Sequence, residues 1–169
     1  VTSIGDYAFA GTGYTGIDLS EATALETIGD GAFLGTDLAG LIFALQNIAD
    51  DAFRNAQLTG TLKVGPAVTS IGVNAFYRTD LTGLDISEAT ALQTIGRYAF
   101  YSNTQLTGTL RVGPAVTSIG GYAFYNTQIT GIDLSDATAL QTIGSGAFKA
   151  TPLQGKTVLK ADGTSIRLT

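Results

Sequence analysis

The side chains in this sequence that could do chemistry are few in kind. Its 169 residues include no His, Cys, Trp or Met. Their absence removes histidine general bases, thiol nucleophiles and the soft ligands of zinc, copper and iron–sulfur centres. What is left is 14 Asp and Glu, nine Lys and Arg, and seven Tyr. One string, Ala150-Thr151-Pro152-Leu153-Gln154-Gly155-Lys156-Thr157, loosely matches a phosphate-binding loop. Such a loop works only between a strand and a helix, where free N–H groups and a helix N-terminus meet the phosphates. Here an Ala-Phe pair precedes the string, and residues 158–168 read as a hairpin around Asp162-Gly163. A hairpin covering the end of the chain is preferred to a nucleotide site, and no cofactor is expected.

Carboxylates acting alone could hydrolyse glycosides or bind calcium, but their placement points elsewhere. Asp18, Asp85 and Asp133 occupy one position of a recurring apolar pattern, and Lys63 and Arg111 occupy the same position in units of a second type, giving the order acid, Ile42, base, acid, base, acid. Between parallel strands a column of like charges would repel. Alternation is the expected structural solution, each exposed pair contributing no more than about 1 kcal/mol. The competing reading is a mixed-charge contact surface for a partner. Tyrosines show a similar order. The residue after each recurring Phe is Tyr77, Tyr101 and Tyr125 in three neighbouring units, and the residue two before it is Tyr98 and Tyr122. Half exposed, these five would form an aromatic stripe for stacking on sugars or anchoring a protein. Fully packed, they would only join one unit to the next.

The elements that must position these residues are repeats. A hexad Ile-Gly-x-x-Ala-Phe, or a near variant, starts at Ile4, Ile28, Ile48, Ile71, Ile95, Ile119 and Ile143. Seven of the eight Phe close these hexads. Between them lie Leu81-x-x-Leu84-x-Ile86 and Ile129-x-x-Ile132-x-Leu134, and the one-residue expansions Leu58-x-x-x-Leu62-x-Val64 and Leu106-x-x-x-Leu110-x-Val112. Alternation over the last three positions predicts a short strand with one buried face. Segments 58–76 and 106–124 agree at 16 of 19 positions, and 81–100 and 129–148 at 14 of 20, so two unit types alternate. One follows its strand with Gly-Pro-Ala, as at Gly65-Pro66-Ala67. The other uses Ser-acid-Ala-Thr, at 20–23, 87–90 and 135–138. Glycines at repeat spacing open the strands (Gly16, Gly40, Gly60, Gly83, Gly108, Gly131) or follow the hexad Ile (Gly29, Gly72, Gly96, Gly120, Gly144), and mark positive φ or close backbone approach.

A unit of this size cannot bury its apolar face alone, whereas stacked units align Leu, Ile and Phe into ladders. The predicted architecture is a repeat solenoid, mainly β, with short strands and a few single-turn helices at the Ala-Phe corners. Residues 1–151 make an array of about seven coils, the first truncated, and 152–169 a C-terminal capping hairpin or the start of a linker. Val1-Thr2-Ser3-Ile4-Gly5 recurs at 68–72 and 116–120, so the chain opens inside a repeat and reads as a piece of a longer protein. The open side of that first coil suggests end-to-end self-association.

The combination LxxLxL, a variable turn and LxxIGxxAFxx(C/T), over about residues 1–151, resembles the BspA-like leucine-rich repeats of bacterial surface proteins. The resemblance implies a right-handed leucine-rich-repeat superhelix or horseshoe with a parallel sheet on its concave side. It also implies an extracellular, cell-surface location and a role in adhesion or host-protein binding. The family's frequent Cys after Ala-Phe is replaced by Thr12, Thr36, Ala56, Thr79, Thr104, Thr127 and Thr151, and the 38–53 unit is short.

A net charge of −5 argues against attraction to nucleic acid or anionic lipid, and no apolar run approaches the length of a membrane span. No acid–base constellation converges, so enzymatic activity is not expected. Two functions remain. The first is a binding module for a protein or glycan, with Tyr77, Tyr98, Tyr101, Tyr122, Tyr125, Lys63, Asp85, Arg111 and Asp133 as candidate contacts. The second is a structural spacer without a ligand of its own.

Overall fold

The computed structural model describes residues 1–13, 24, 25, 27–36 and 47–169, and the backbone alone at 42 and 43. Asp18, Gly16, Gly40 and the 20–23 turn lie outside the described residues. The hexad Ile of each coil ends a two-residue strand: β1 (Ser3–Ile4), β2 (Thr27–Ile28), β4 (Asn47–Ile48), β6 (Ser70–Ile71), β8 (Thr94–Ile95), β10 (Ser118–Ile119) and β12 (Thr142–Ile143). They form a seven-stranded parallel sheet in that order, each Ile opposite the next. The LxxLxL segments build a second face: β3 (Ile42–Phe43), β5 (Thr59–Val64) and β7 (Asp80–Asp85) in one sheet, β9 (Thr107–Arg111) and β11 (Gln128–Asp133) in another. The one-residue difference between unit types is taken up as a register shift. Leu81 faces Gly60 and Gly83 faces Thr61, leaving Thr82 without an opposite residue; Thr130 does the same between β9 and β11. An antiparallel pair, β13 (Thr157–Leu159) and β14 (Ser165–Arg167), follows the last coil, and Leu153 and Leu168 are buried beneath it.

The structure is a β-solenoid whose core is a column of rings. Phe9, Phe33, Phe53, Phe76, Phe100, Phe124 and Phe148 stack in order, neighbouring centroids 5.2–5.4 Å apart and planes within 4–8°. The spacing follows from the strand repeat of about 4.8 Å, with the small excess giving the offset that aromatic pairs prefer.

The corners contain no helix among the described residues, contrary to the expected single turns. Each corner is a run of hydrogen-bonded turns instead. In the first coil the amides of Ala8, Ala10 and Thr12 donate to the carbonyls of Gly5, Tyr7 and Phe9, three residues back. Left-handed backbone sets this shape. The residue two before each Phe (Tyr7, Gly31, Asp51, Asn74, Tyr98, Tyr122, Gly146) and the residue two after it (Gly11, Gly35, Asn55, Arg78, Ser102, Asn126, Ala150) all have φ between 52° and 69°. A positive φ at the third position suits a type II turn and forbids helix. The alternating residues then donate to the next coil: Tyr98, Phe100 and Ser102 N–H to the carbonyls of Gly121, Ala123 and Tyr125.

At the strand side the bonds run the other way, Gly96 N–H to Ile71 O at 2.7 Å and Gly120 N–H to Ile95 O at 2.8 Å. There glycine is required by proximity, not by φ. A Cβ on Gly96 would lie 2.5 Å from the Gly72 carbonyl carbon. At Gly60 and Gly108, by contrast, φ is +81° and +95°.

Ala150 is an exposed residue held at φ 58°. The left-handed region costs an L-residue about 1–2 kcal/mol, while glycine's added chain entropy costs about 0.5–1 kcal/mol. Ala150→Gly is therefore expected to stabilise the fold by about 0.5–1 kcal/mol, read as a higher urea midpoint at constant slope. An unchanged or lower midpoint would show that the corner tolerates Ala without strain.

Candidate functional site

The corner edge of the three coils around Phe76, Phe100 and Phe124 gathers the five candidate tyrosines. Each is half-buried, and they interlock in two columns. Tyr77, Tyr101 and Tyr125 stack with centroids 4.9 and 4.6 Å apart. Tyr98 and Tyr122 stack at 5.5 Å, and each meets the first column at an angle, through Tyr101 at 5.6 Å and Tyr125 at 5.9 Å.

Most of the ring faces are occupied. Tyr101 lies between two Tyr rings, Tyr77 has the Arg54 and Arg78 guanidinium carbons 5.2 and 5.4 Å from its centroid, and Tyr98 has that of Arg97 at 4.6 Å. Tyr122 covers Gly146, where a Cβ would lie 2.7 Å from the ring. What such rings offer outward is their edges and hydroxyls, not open faces. Burial, and then the neighbouring phenols Tyr125 and Tyr77, push the Tyr101 hydroxyl above its ordinary pKa. Arg97 donates to the Tyr98 hydroxyl at 2.8 Å.

Sequence reading missed the cations of this edge. Corner segments 73–79, 97–103, 121–127 and 145–151 carry Arg78, Arg97 and Lys149 and no acid. Earlier corners carry Asp6, Asp30, Asp50 and Asp51. The signal was available, because Lys149 and Arg54 occupy the same offset from Phe as Tyr77, Tyr101 and Tyr125. The early acids serve the fold: Asp6 and Asp50 carboxylates accept from the Asp30 and Val73 amides of the following coil at 3.0 and 2.6 Å. Burial, then Asp6, Asp50 and Asp51, raise the Asp30 pKa.

On the LxxLxL face the register sets Lys63 opposite Asp85, Arg111 opposite Asp133, and Ile42 opposite Lys63. Arg111 approaches Asp133 at 3.4 Å and Asp136 at 3.8 Å. The two aspartates also close their strands. Asp85 accepts from the Ser87 hydroxyl and amide at 2.6 and 3.0 Å, and Asp133 from the Ser135 amide at 3.0 Å. Those serine bonds, more than the facing cation, hold both carboxyls below their ordinary pKa. These four residues are thus on a different side chain array from the tyrosines, and the structure does not bring the two sets into one cluster.

The phosphate-loop string has no cradle. Its amides are engaged internally, Gln154 to Thr151 O, Gly155 to Leu168 O and Lys156 to Leu153 O, and a strand, β13, follows it. Among the described residues no group of three acidic side chains is placed to hold a metal, and no helix is long and apolar enough to cross a membrane.

Three residues past the Phe, a column of small polar side chains caps the carbonyl of that Phe in most coils, whereas the coil of Phe53 has Ala56 there. Hydroxyls of Thr12, Thr36, Thr127 and Thr151 donate to Phe9, Phe33, Phe124 and Phe148 O at 2.6–3.0 Å. In the coil of Phe100 the buried place belongs to Asn103, and Thr104 is exposed. The extra residue of that coil moves Thr104 out of the column, and the longer Asn reaches back to Phe76 O at 2.7 Å.

No curated protein and no solved structure matches the chain significantly. A family model for the BspA type leucine rich repeat region matches it in six copies, over residues 1–107 and 69–166. Repeats of this kind are often found on cell surfaces, and their solenoids generally serve as binding or scaffold modules. With the stacked Phe column, the parallel Ile sheet and that match in hand, the chain belongs to the BspA-type leucine-rich repeat family.

Proposed function

We propose that the chain is a non-enzymatic adhesion module of a bacterial cell-surface protein, and that its tyrosine edge is the contact surface. The observation that carries this reading is the set of five half-buried tyrosines, each keeping part of its surface in solvent, locked in two columns across three coils. Rings held this firmly lose little freedom when a partner arrives, so their contacts are not offset by ordering cost. Binding surfaces concentrate their affinity in such aromatic and Arg residues. Ring-on-ring packing also suits the second reading, a spacer whose tyrosines only join its coils.

A screen of the chain against immobilised matrix proteins and glycans, repeated with Tyr101→Ser/Tyr125→Ser, separates the two. Adhesion predicts a hit that the double variant, still folded by circular dichroism, weakens by at least about tenfold. No hit, or one indifferent to the double variant, favours the spacer.

A further inference from the structure

We infer that the tyrosine edge takes a linear polyanionic glycan, an inference that rests on the adhesion reading and specifies its ligand. The argument starts from charge. The chain carries nine basic and 14 acidic residues, yet from residue 73 onward the charged side chains of its corner segments are all cations. Arg78, Arg97 and Lys149 have no carboxylate partner among the described residues, whose ion pairs lie at Arg54, Arg111 and Lys160. The nearest acid in sequence, Asp80, belongs to the strand that follows. A net-charge reading averages this segregation away. In a negative protein, an edge with three cations that no carboxylate neutralises selects for anionic ligands, because a neutral one leaves the local field unused.

Geometry selects among anions. With Tyr101 sandwiched between Tyr77 and Tyr125, successive nucleobases cannot stack along the column as they do on open aromatic platforms. An extended peptide would need free backbone groups to add as a strand. At this edge those groups are spent on the next coil, as with Tyr98, Phe100 and Ser102 N–H bonded to Gly121, Ala123 and Tyr125 O. A peptide would also present like side chains only every ~6.6 Å, against ring spacings of 4.9 and 4.6 Å here. The column of Tyr77, Tyr101 and Tyr125 presents one phenol per coil in register, at a spacing close to the repeat of a pyranose chain, with guanidinium and ammonium groups beside it. Hydroxyl-rich rings bearing carboxylates or sulfates match both features.

The test is calorimetric titration of the whole chain with hexagalacturonate, with its fully methyl-esterified and therefore neutral form, and with hexaglutamate. The expected result is binding of hexagalacturonate that weakens as salt rises. It should fall at least about tenfold for the methyl ester and for Arg78→Gln/Arg97→Gln/Lys149→Gln. Lys156→Gln/Lys160→Gln should bind as the parent does, and single Lys149→Gln provides a second, milder variant at an exposed position. Equal binding of the methyl ester would overturn the anionic assignment while leaving the adhesive edge standing. Equal binding of hexaglutamate would overturn the glycan class. Absence of hexagalacturonate binding, or binding unchanged in the triple variant, would overturn the inference outright.

Discussion

Phe100→Ala is expected to destabilise the protein by about 3–5 kcal/mol, the range for emptying a fully buried aromatic site. Phe100 is inaccessible to solvent and lies 5.2 Å from both the Phe76 and Phe124 rings, nearly parallel to each. Its removal opens a hole that faces two coils at once, and a repeat stack derives its stability from those nearest-neighbour contacts. The rigid corner limits collapse, because the Phe100 amide is bonded to Ala123 O and cannot follow the missing ring inward. Phe100→Leu should cost less: it keeps most of the volume and loses two ring pairs, each contributing about 0.5–1.5 kcal/mol. Urea unfolding measures both. A loss below about 1 kcal/mol for the alanine variant would mean that the column is not what holds adjacent coils together.

Asn103→Leu is the second large effect, expected at about 2–4 kcal/mol from stranded buried polar groups. The Asn103 amide nitrogen donates to Phe76 O at 2.7 Å, and its oxygen accepts from the Thr79 hydroxyl, so one side chain ties two coils together. Leucine matches the volume but leaves Thr79 with only its 3.3 Å bond to Phe76 O. Asn103→Thr should lose far less, because threonine at this offset caps its own Phe carbonyl, as Thr127 does at 3.0 Å. The contrast between the two variants isolates polarity from packing. Leucine as stable as asparagine would contradict the bridging role.

Much of this architecture was legible in the sequence because it recurs. A Phe that returns at the end of every Ile-Gly-x-x-Ala-Phe can only be a column once coils stack, and the Ile of the same hexad can only be a sheet. Reading failed where one coil departs from the others. Thr104 was matched by residue type, whereas counting three residues from Phe100 reaches Asn103, the residue the structure buries. The corners were read as helical turns because Tyr98, Arg78 and Ser102 conceal a left-handed backbone. The same two columns carry Gly31, Gly146, Gly11 and Gly35 in other coils, and glycine in register with bulky residues was the available sign of positive φ. For the candidate site, the tyrosines and their ladder order were legible from spacing. The covering of their faces was not, since it depends on how each ring leans onto the coil beside it, as Tyr122 does over Gly146. Nor was the split of charge along the edge, because composition sums over both ends.

The central claim is that each coil is held by its neighbour, through rings inside and alternate amides at the corner. Native-state hydrogen exchange of the Tyr98, Phe100 and Ser102 amides tests it most directly. These groups have no bond within their own coil and donate only to Gly121, Ala123 and Tyr125 O of the next. The account predicts that all three exchange only with global unfolding, at the slowest rates in the chain. Rapid exchange at these positions while the chain remains folded would contradict it.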